Sequence, residues 1–176
     1  PEASLSPNVD GVFNDCNTSK LSVTVDLNTP RGIEIAKRVV SVSDVVTNSF
    51  RGDRMGRWGL DYDDLVKLKP DIIMLSMPMM GTTGPHHDYG GNGINIIAAA
   101  GISGITGFPE RAPVGTGSLY PDFSGNPNHA ALAVLAALRY RNRTGKGQFI
   151  DLAQYESTVS LLGTSVLQYT ALDSLP

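Results

Sequence analysis

Residues 44–77, DVVTNSFRGDRMGRWGLDYDDLVKLKPDIIMLSM, decide the fold. Asp44–Val46 has the apolar character of a short buried strand. Asp61–Lys69 follows as a helix, with acidic residues in the first turn where they complement the helix dipole, and Pro70 closes it. Asp71–Met77 is then a second, strongly apolar strand. Upstream, Ser22–Leu27 (SVTVDL) alternates like a strand. Thr29–Pro30 starts a helix that runs to about Val40, with Ile33, Ala36, Val39 and Val40 on one side. Strand, helix, strand, helix, strand is the order that builds a parallel sheet through right-handed crossovers. The expected fold class is α/β, a parallel sheet with flanking helices.

The rest of the chain extends this pattern. Residues 1–21 show no clear periodicity and read as loop. Residues 81–93 are a glycine-rich loop, Ile94–Ile105 a helix, and Phe108–Ser124 loop again. Asn126–Arg141 is the clearest helix: Asn126 stands as N-cap, Pro127 takes the first helical position, and the following residues are almost wholly apolar up to Arg139. Gly145 and Gly147 turn the chain into a strand over Gln148–Leu152, and a last helix covers Ala153 to Tyr169. No repeat, charge block or linker divides the chain.

Composition bounds the function classes. The 176 residues are 41% hydrophobic and 18% charged, which suits one domain with a real core and argues against disorder. A net charge of −3 provides no global basic field for nucleic acid or an acidic membrane, so any anion site must be local. Cys16 is the single cysteine, which excludes an internal disulfide and fits a reducing, cytoplasmic setting. The longest apolar stretch, around Ala130–Leu138, is too short to span a bilayer. The chain starts at Pro1 and stops at Pro176 within a pattern, so either end is expected to continue.

Several short motifs have plain readings. TGKGQ (144–148) lacks the Walker spacing and follows a helix rather than preceding one, so it reads as a helix C-cap with basic residues at the favourable end of the dipole. GGNG (90–93) and GTG (115–117) complete no dinucleotide fingerprint and read as turns. His86, His87 and His129 lack metal-ligand spacing, and Cys16 is remote from them, so no metal site is expected. Arg51, Arg54 and Arg57, with Lys20 upstream, follow a strand, where ligands of open α/β sheets collect and where arginines can grip a phosphate. On spacing alone, three solvated surface arginines remain the simpler reading. Asp122 lies between Tyr120 and Phe123, outside the capping turn set by Asn126. A carboxylate flanked by aromatics is costly unless something uses it, yet Asp is also a common turn former. The residues leave both readings open.

Taken together, these stretches resemble the class III CoA-transferases, the CaiB/BaiF family, which also includes the α-methylacyl-CoA racemases. The matching text is NTSKLSVTVDL (17–27), VVTNSFRGDRMGRWGLDYDDL (45–65), KPDIIMLSMPMMGTTGP (69–85), GTGSLYPD (115–122) and AALAVLAALRYRNRTGKGQFIDLAQYES (130–157), in the family's order and spacing. The resemblance implies a Rossmann-like large domain that binds coenzyme A, in an enzyme whose two subunits interlock. It places the family's nucleophilic aspartate on Asp122 and CoA-contacting positions on Asn17, Lys20, Phe50, Arg51 and Arg57. Ser49 replaces a family Asn in the Asn48–Ser49–Phe50–Arg51 stretch, and Gly81–Thr82–Thr83–Gly84–Pro85 departs mildly from the family's G-Q-T-G-P. Because family members are more than twice this long, the resemblance also implies that residues 1–176 are an internal part of the large domain. The expected substrates are an acyl-CoA and a carboxylic acid.

Two rivals stand beside this reading. A racemase on the same scaffold would use a His-Asp pair in a G-H-D-I-N-Y stretch, which here reads Gly91–Asn92–Gly93–Ile94–Asn95–Ile96 and has no proton shuttle. The other rival is a CoA-binding segment without turnover.

Overall fold

The computed structural model describes residues 10–117 and 120–174, and the fold is α/β as expected. Three parallel strands lie in the order β1 (Val45–Asn48), β2 (Ile73–Ser76), β3 (Gln148–Asp151). Val45 pairs with Ile73 and Asn48 with Ser76, while Ile73 pairs with Gln148 and Ser76 with Asp151. All three strands therefore end together, at Asn48, Ser76 and Asp151. Every residue of β2 is buried, as both faces of a central parallel strand should be.

The first helix, α1 (Gly11–Cys16), was not legible in the periodicity; Asp10 caps it by accepting the Phe13 N–H at 2.7 Å. Helix α2 (Pro30–Ser41) starts where expected, with Thr29 accepting the Gly32 N–H at 3.1 Å. Arg54–Arg57 forms a single turn, α3, and α4 (Tyr62–Leu68) is capped by Asp61. One face of the sheet packs Met74 and Val46 against Val40 of α2 and Leu65 of α4, with Leu60, Trp58 and Tyr62 completing the cluster. Leu65 is fully buried, so its truncation to Ala would cost about 2–5 kcal/mol. Across the other face runs α6 (Asn126–Thr144), which packs on β2 and β3.

Four expectations need correction. Ser22–Leu27 forms no strand: no ladder partner reaches it among the described residues, and Leu21 and Val23 are exposed. Alternation marks a residue set that could sit on a sheet, but a strand exists only where another strand supplies hydrogen bonds. Second, the helix expected over Ile94–Ile105 breaks into α5 (Gly93–Ala99) and a 3₁₀ turn (Ile102–Ile105) at Gly101, whose φ of 86° ends the α-helix. Third, the last helix is segmented into α7 (Gln154–Val159), a 3₁₀ turn and α8 (Gly163–Leu172).

The fourth correction concerns the site itself. Asn126 is no N-cap, because the chain is already helical from Tyr120 and makes a π turn over Pro121–Gly125 before α6 begins. Pro127 explains the widening. Its ring nitrogen cannot donate to the Phe123 carbonyl and its ring would crowd that oxygen, so the turn opens until the Asn126 N–H bonds Pro121 O. Asp122 therefore lies within the first turn of a helical segment rather than in a loop ahead of it. At the far end of α6, Gly145 takes φ 72° and caps the helix, as TGKGQ suggested. A Cβ on Gly147 would overlap the Ile72 carbonyl, so only glycine lets β3 start this close to β2.

Candidate active site

The segments that follow the three strands converge on a cavity of about 410 Å³. Ser49, Phe50 and Arg51 reach it from the end of β1, Met79 follows β2, and Gln154 follows β3 as the first residue of α7. Asp122 enters from the π turn, and Asn92 from the start of α5. A crevice outside the strand ends is where an open parallel sheet places its ligand.

Asp122 is half-buried, and no cation pairs with it among the described residues. Burial pushes its carboxyl above the usual aspartate range, against a smaller opposing pull from a backbone hydrogen bond. Its turn is held by neighbours rather than by its own side chain. Asn126 donates from Nδ2 to Gln154 Oε1 at 3.1 Å, and His129 Nδ1 lies 2.8 Å from Ser157 Oγ, so the start of α6 and α7 are joined at two successive turns. A Cβ on Gly125 would press on Leu161, so the π turn sits directly against the segment after α7.

A second cavity of about 390 Å³ adjoins the first through Arg54, which lines both. It is walled by Leu27, Ile33, Arg57 and Trp58. The Trp58 ring meets Phe50 edge to face at 5.3 Å and carries the Arg54 guanidinium 5.8 Å from its centre. Aromatic and cationic surface thus continues from beside Asp122 to Arg57.

Of the expected site residues, Asp122, Phe50 and Arg51 share the first cavity, and Arg57 lines the second. Arg51 is anchored by donation to Asp88 O at 2.7 Å. Arg57 is exposed and bridges to Asp53 at 3.0 Å. Asn17 and Lys20 line neither cavity. They finish α1 instead, Asn17 donating to Phe13 O and Lys20 to Cys16 O. The described residues contain no group of three or more His, Cys, Asp or Glu able to hold a metal ion. No described helix is long and apolar enough to cross a membrane.

Comparison with known proteins identifies the family. The model of the CoA-transferase family III matches residues 2–176. The chain belongs to CoA-transferase family III. It is 39% identical to the succinyl-CoA–D-citramalate CoA-transferase of Chloroflexus aurantiacus, over 86% of this chain and 37% of that protein. It is 34% identical to the succinate–glutarate CoA-transferase of Agrobacterium fabrum, over 89% of this chain and 39% of that protein. The crystal structure of a CaiB/BaiF family protein from Brucella suis superposes with a TM-score of 0.87 at 34% identity, covering 92% of this chain and 42% of that one. The chain therefore spans about two fifths of the length of these family III relatives.

Three residues that line these cavities carry no motif signal in the sequence. Arg54 belongs to the arginine cluster without an assigned contact, and Trp58 and Gln154 lie in no motif that marks them. The available signal was positional: Gln154 stands three residues beyond the end of β3, in the zone where strands of this fold deliver ligand contacts. Ser118 and Leu119, which belong to the Gly115–Asp122 stretch, lie outside the described residues.

Proposed function

We propose that the full-length protein transfers coenzyme A between an acyl-CoA thioester and a free carboxylic acid through a covalent intermediate on Asp122. The observation that carries this reading is an unpaired, partly desolvated carboxylate in a cavity joined, across Phe50, Trp58 and Arg54, to a second cavity bearing Arg57. An elongated ligand with a thioester at one end and phosphates at the other suits that arrangement. Asn17 and Lys20 would join the coenzyme contacts only if the segment after α1 folds over the ligand.

The chemistry follows from the carboxylate. An Asp122 oxygen attacks the acyl carbonyl carbon, and the carbon–sulfur bond breaks to release CoA thiolate and leave a mixed anhydride. The thiolate attacks the aspartyl carbonyl, expels the first acid as its carboxylate, and leaves an aspartyl-CoA thioester. An incoming carboxylate attacks that thioester, regenerating an anhydride and thiolate. Thiolate attack on the new acyl carbonyl then yields the new acyl-CoA and free Asp122. Each addition needs a donor for the oxyanion, and water must be kept from the anhydride.

The relatives' names support a succinyl-type donor and small dicarboxylic acids as the substrate class. The family's interlocked homodimer is the assembly, and the cytoplasm the setting, that accompany this reading. The racemase alternative gains no support: Asn92 and Gly93 occupy that pair's place, and Asn92 is tied to Asn95 in a capping box at the start of α5. Neither Asn92 nor Gly93 can shuttle a proton.

The test is to quench the full-length protein during turnover with succinyl-CoA and a panel of other acyl-CoA donors, with and without hydroxylamine. An aspartyl-CoA adduct, or the corresponding hydroxamate, should map to the peptide containing Asp122. CoA exchange without any adduct there would overturn the mechanism.

A further inference from the structure

Gln154 is oriented by a chain of amide contacts that starts at a strand carbonyl. The Met77 carbonyl, just past β2, can only accept, so the Gln154 group 2.7 Å away must be its Nε2 amide. That turns Gln154 Oε1 towards Asn126, and the Asn126 group 3.1 Å away must therefore be Nδ2. Asn126 in turn is left with Oδ1 buried and without a partner among the described residues, in a residue only 2% exposed. A buried orphan acceptor is a cost that native structures seldom carry without a use. What the chain of contacts achieves is a fixed Gln154 amide. One Nε2 hydrogen is held by Met77, and the second has no partner among the described residues. Gln154 is half-buried, so it remains reachable, and it lines the same cavity as Asp122.

We propose that Gln154 binds the reacting carboxyl group of the acid, donating its free amide hydrogen to the acyl oxygen beside Asp122, and that Asn126 positions it. This rests on the reading of Asp122 as nucleophile and assigns that site its hydrogen-bond donor from α7. As an Asp122 oxygen adds to the acyl carbon, the carbonyl electron pair moves onto the acyl oxygen, and the same hydrogen bond strengthens on the developing oxyanion. As the intermediate collapses, the pair returns and CoA thiolate departs. Donation from a neutral amide suits both partners of the exchange, since a free carboxylate and a thioester oxygen both accept. A cation in the same place would favour the charged acid over the neutral thioester.

The experiment uses the full-length protein with succinyl-CoA as donor and glutarate as acceptor. Gln154→Met keeps length and volume but removes the amide. It should lower kcat/KM for the acid roughly ten- to hundredfold with CoA affinity unchanged, and lower Tm somewhat, because Asn126 Nδ2 and the Met77 carbonyl lose their partner. Asn126→Leu should reproduce part of that loss through misorientation of Gln154. Should Asn126→Leu fail to fold, Gln154→Met alone decides. Acid kinetics within twofold of wild type in Gln154→Met, while the wild-type protein still forms the Asp122 adduct, would overturn this proposal and leave the nucleophile intact. Absence of the adduct in the wild type would instead remove the reading on which the proposal rests.

Discussion

The two ends of the three strands are built on opposite rules. At the amino end, Arg141 reaches from the last turn of α6 to Asp44 at 3.0 Å, with Asp71 at 3.9 Å, and Lys69 holds Asp71 at 3.1 Å. Arg141 is only 14% exposed on its side chain, so this grouping closes the sheet where α6 returns to β3. At the carboxyl end some groups are paired, Arg57 with Asp53 and Thr82 with Asp151, but three are left single among the described residues. Asp122 has no cation, Asn126 Oδ1 has no donor, and the buried Nδ2 of Asn48, the last residue of β1, has no acceptor. The amino end pairs its charges for stability, whereas the carboxyl end keeps a few groups open that a ligand would complete.

The sharpest way to break this contrast is Asp122→Asn. It preserves shape but removes the nucleophile, so transfer by the full-length protein should fall by at least about a thousandfold while CoA binding barely changes. Near-normal transfer would reduce Asp122 to a turn residue. Arg57→Ala comes next. A charge-assisted contact to a coenzyme phosphate implies a loss of about 1.5–3 kcal/mol in CoA binding, diminishing as salt rises. Titration calorimetry at two salt concentrations would check it, and unchanged affinity would remove Arg57 from the site. Arg141→Met tests the opposite end. Its part-buried pairing predicts a loss of about 1–2 kcal/mol of stability, measured by denaturant unfolding, with transfer kinetics unchanged.

How much of this was readable beforehand follows the same division. Ile73–Ser76 was visible because a buried central parallel strand is a continuous apolar run, and α4 because Asp61 and Pro70 mark its ends; of β1 only Val45 and Val46 fell within the expected Asp44–Val46, since Thr47 and Asn48 are polar. Ser22–Leu27 misled because alternation records what a segment could bury, not whether a neighbour exists to pair with it. The site was half legible. The resemblance put Asp122 and Phe50–Arg51 in one place, and they do share a cavity. The Asn126–Gln154 contact was out of reach, because residues 28 apart on separate helices meet only once α6 and α7 have packed. The π turn was hidden for another reason: Asn126–Pro127 has the composition of a helix start, and only the preceding Pro121, already helical, shows that the start lies upstream.

The smallest expected effect gives the contrast a sign that pH can read. Asp71 and Asp122 are shifted in opposite directions. The Lys69 hydrogen bond, chiefly, holds the Asp71 carboxyl below its usual value, whereas burial raises that of Asp122. A lowered carboxylate contributes stability that is present above the unfolded-state value, near 4, and is lost as pH falls through the folded value. A raised one does the reverse: the folded protein holds the proton more tightly, so stability declines as pH climbs from the unfolded to the folded value and the cost persists above it. Asp71→Asn should therefore lower Tm at neutral pH, and Asp122→Asn should raise it slightly. Both differences should shrink towards zero in acid, the Asp122 difference beginning to fade at the higher pH of the two. Melting curves of the two variants between neutral pH and the acid limit of folding would separate these profiles. A neutral-pH loss of stability in Asp122→Asn would mean that the carboxylate is held by a partner, and that the carboxyl end of the sheet is no more open than the amino end.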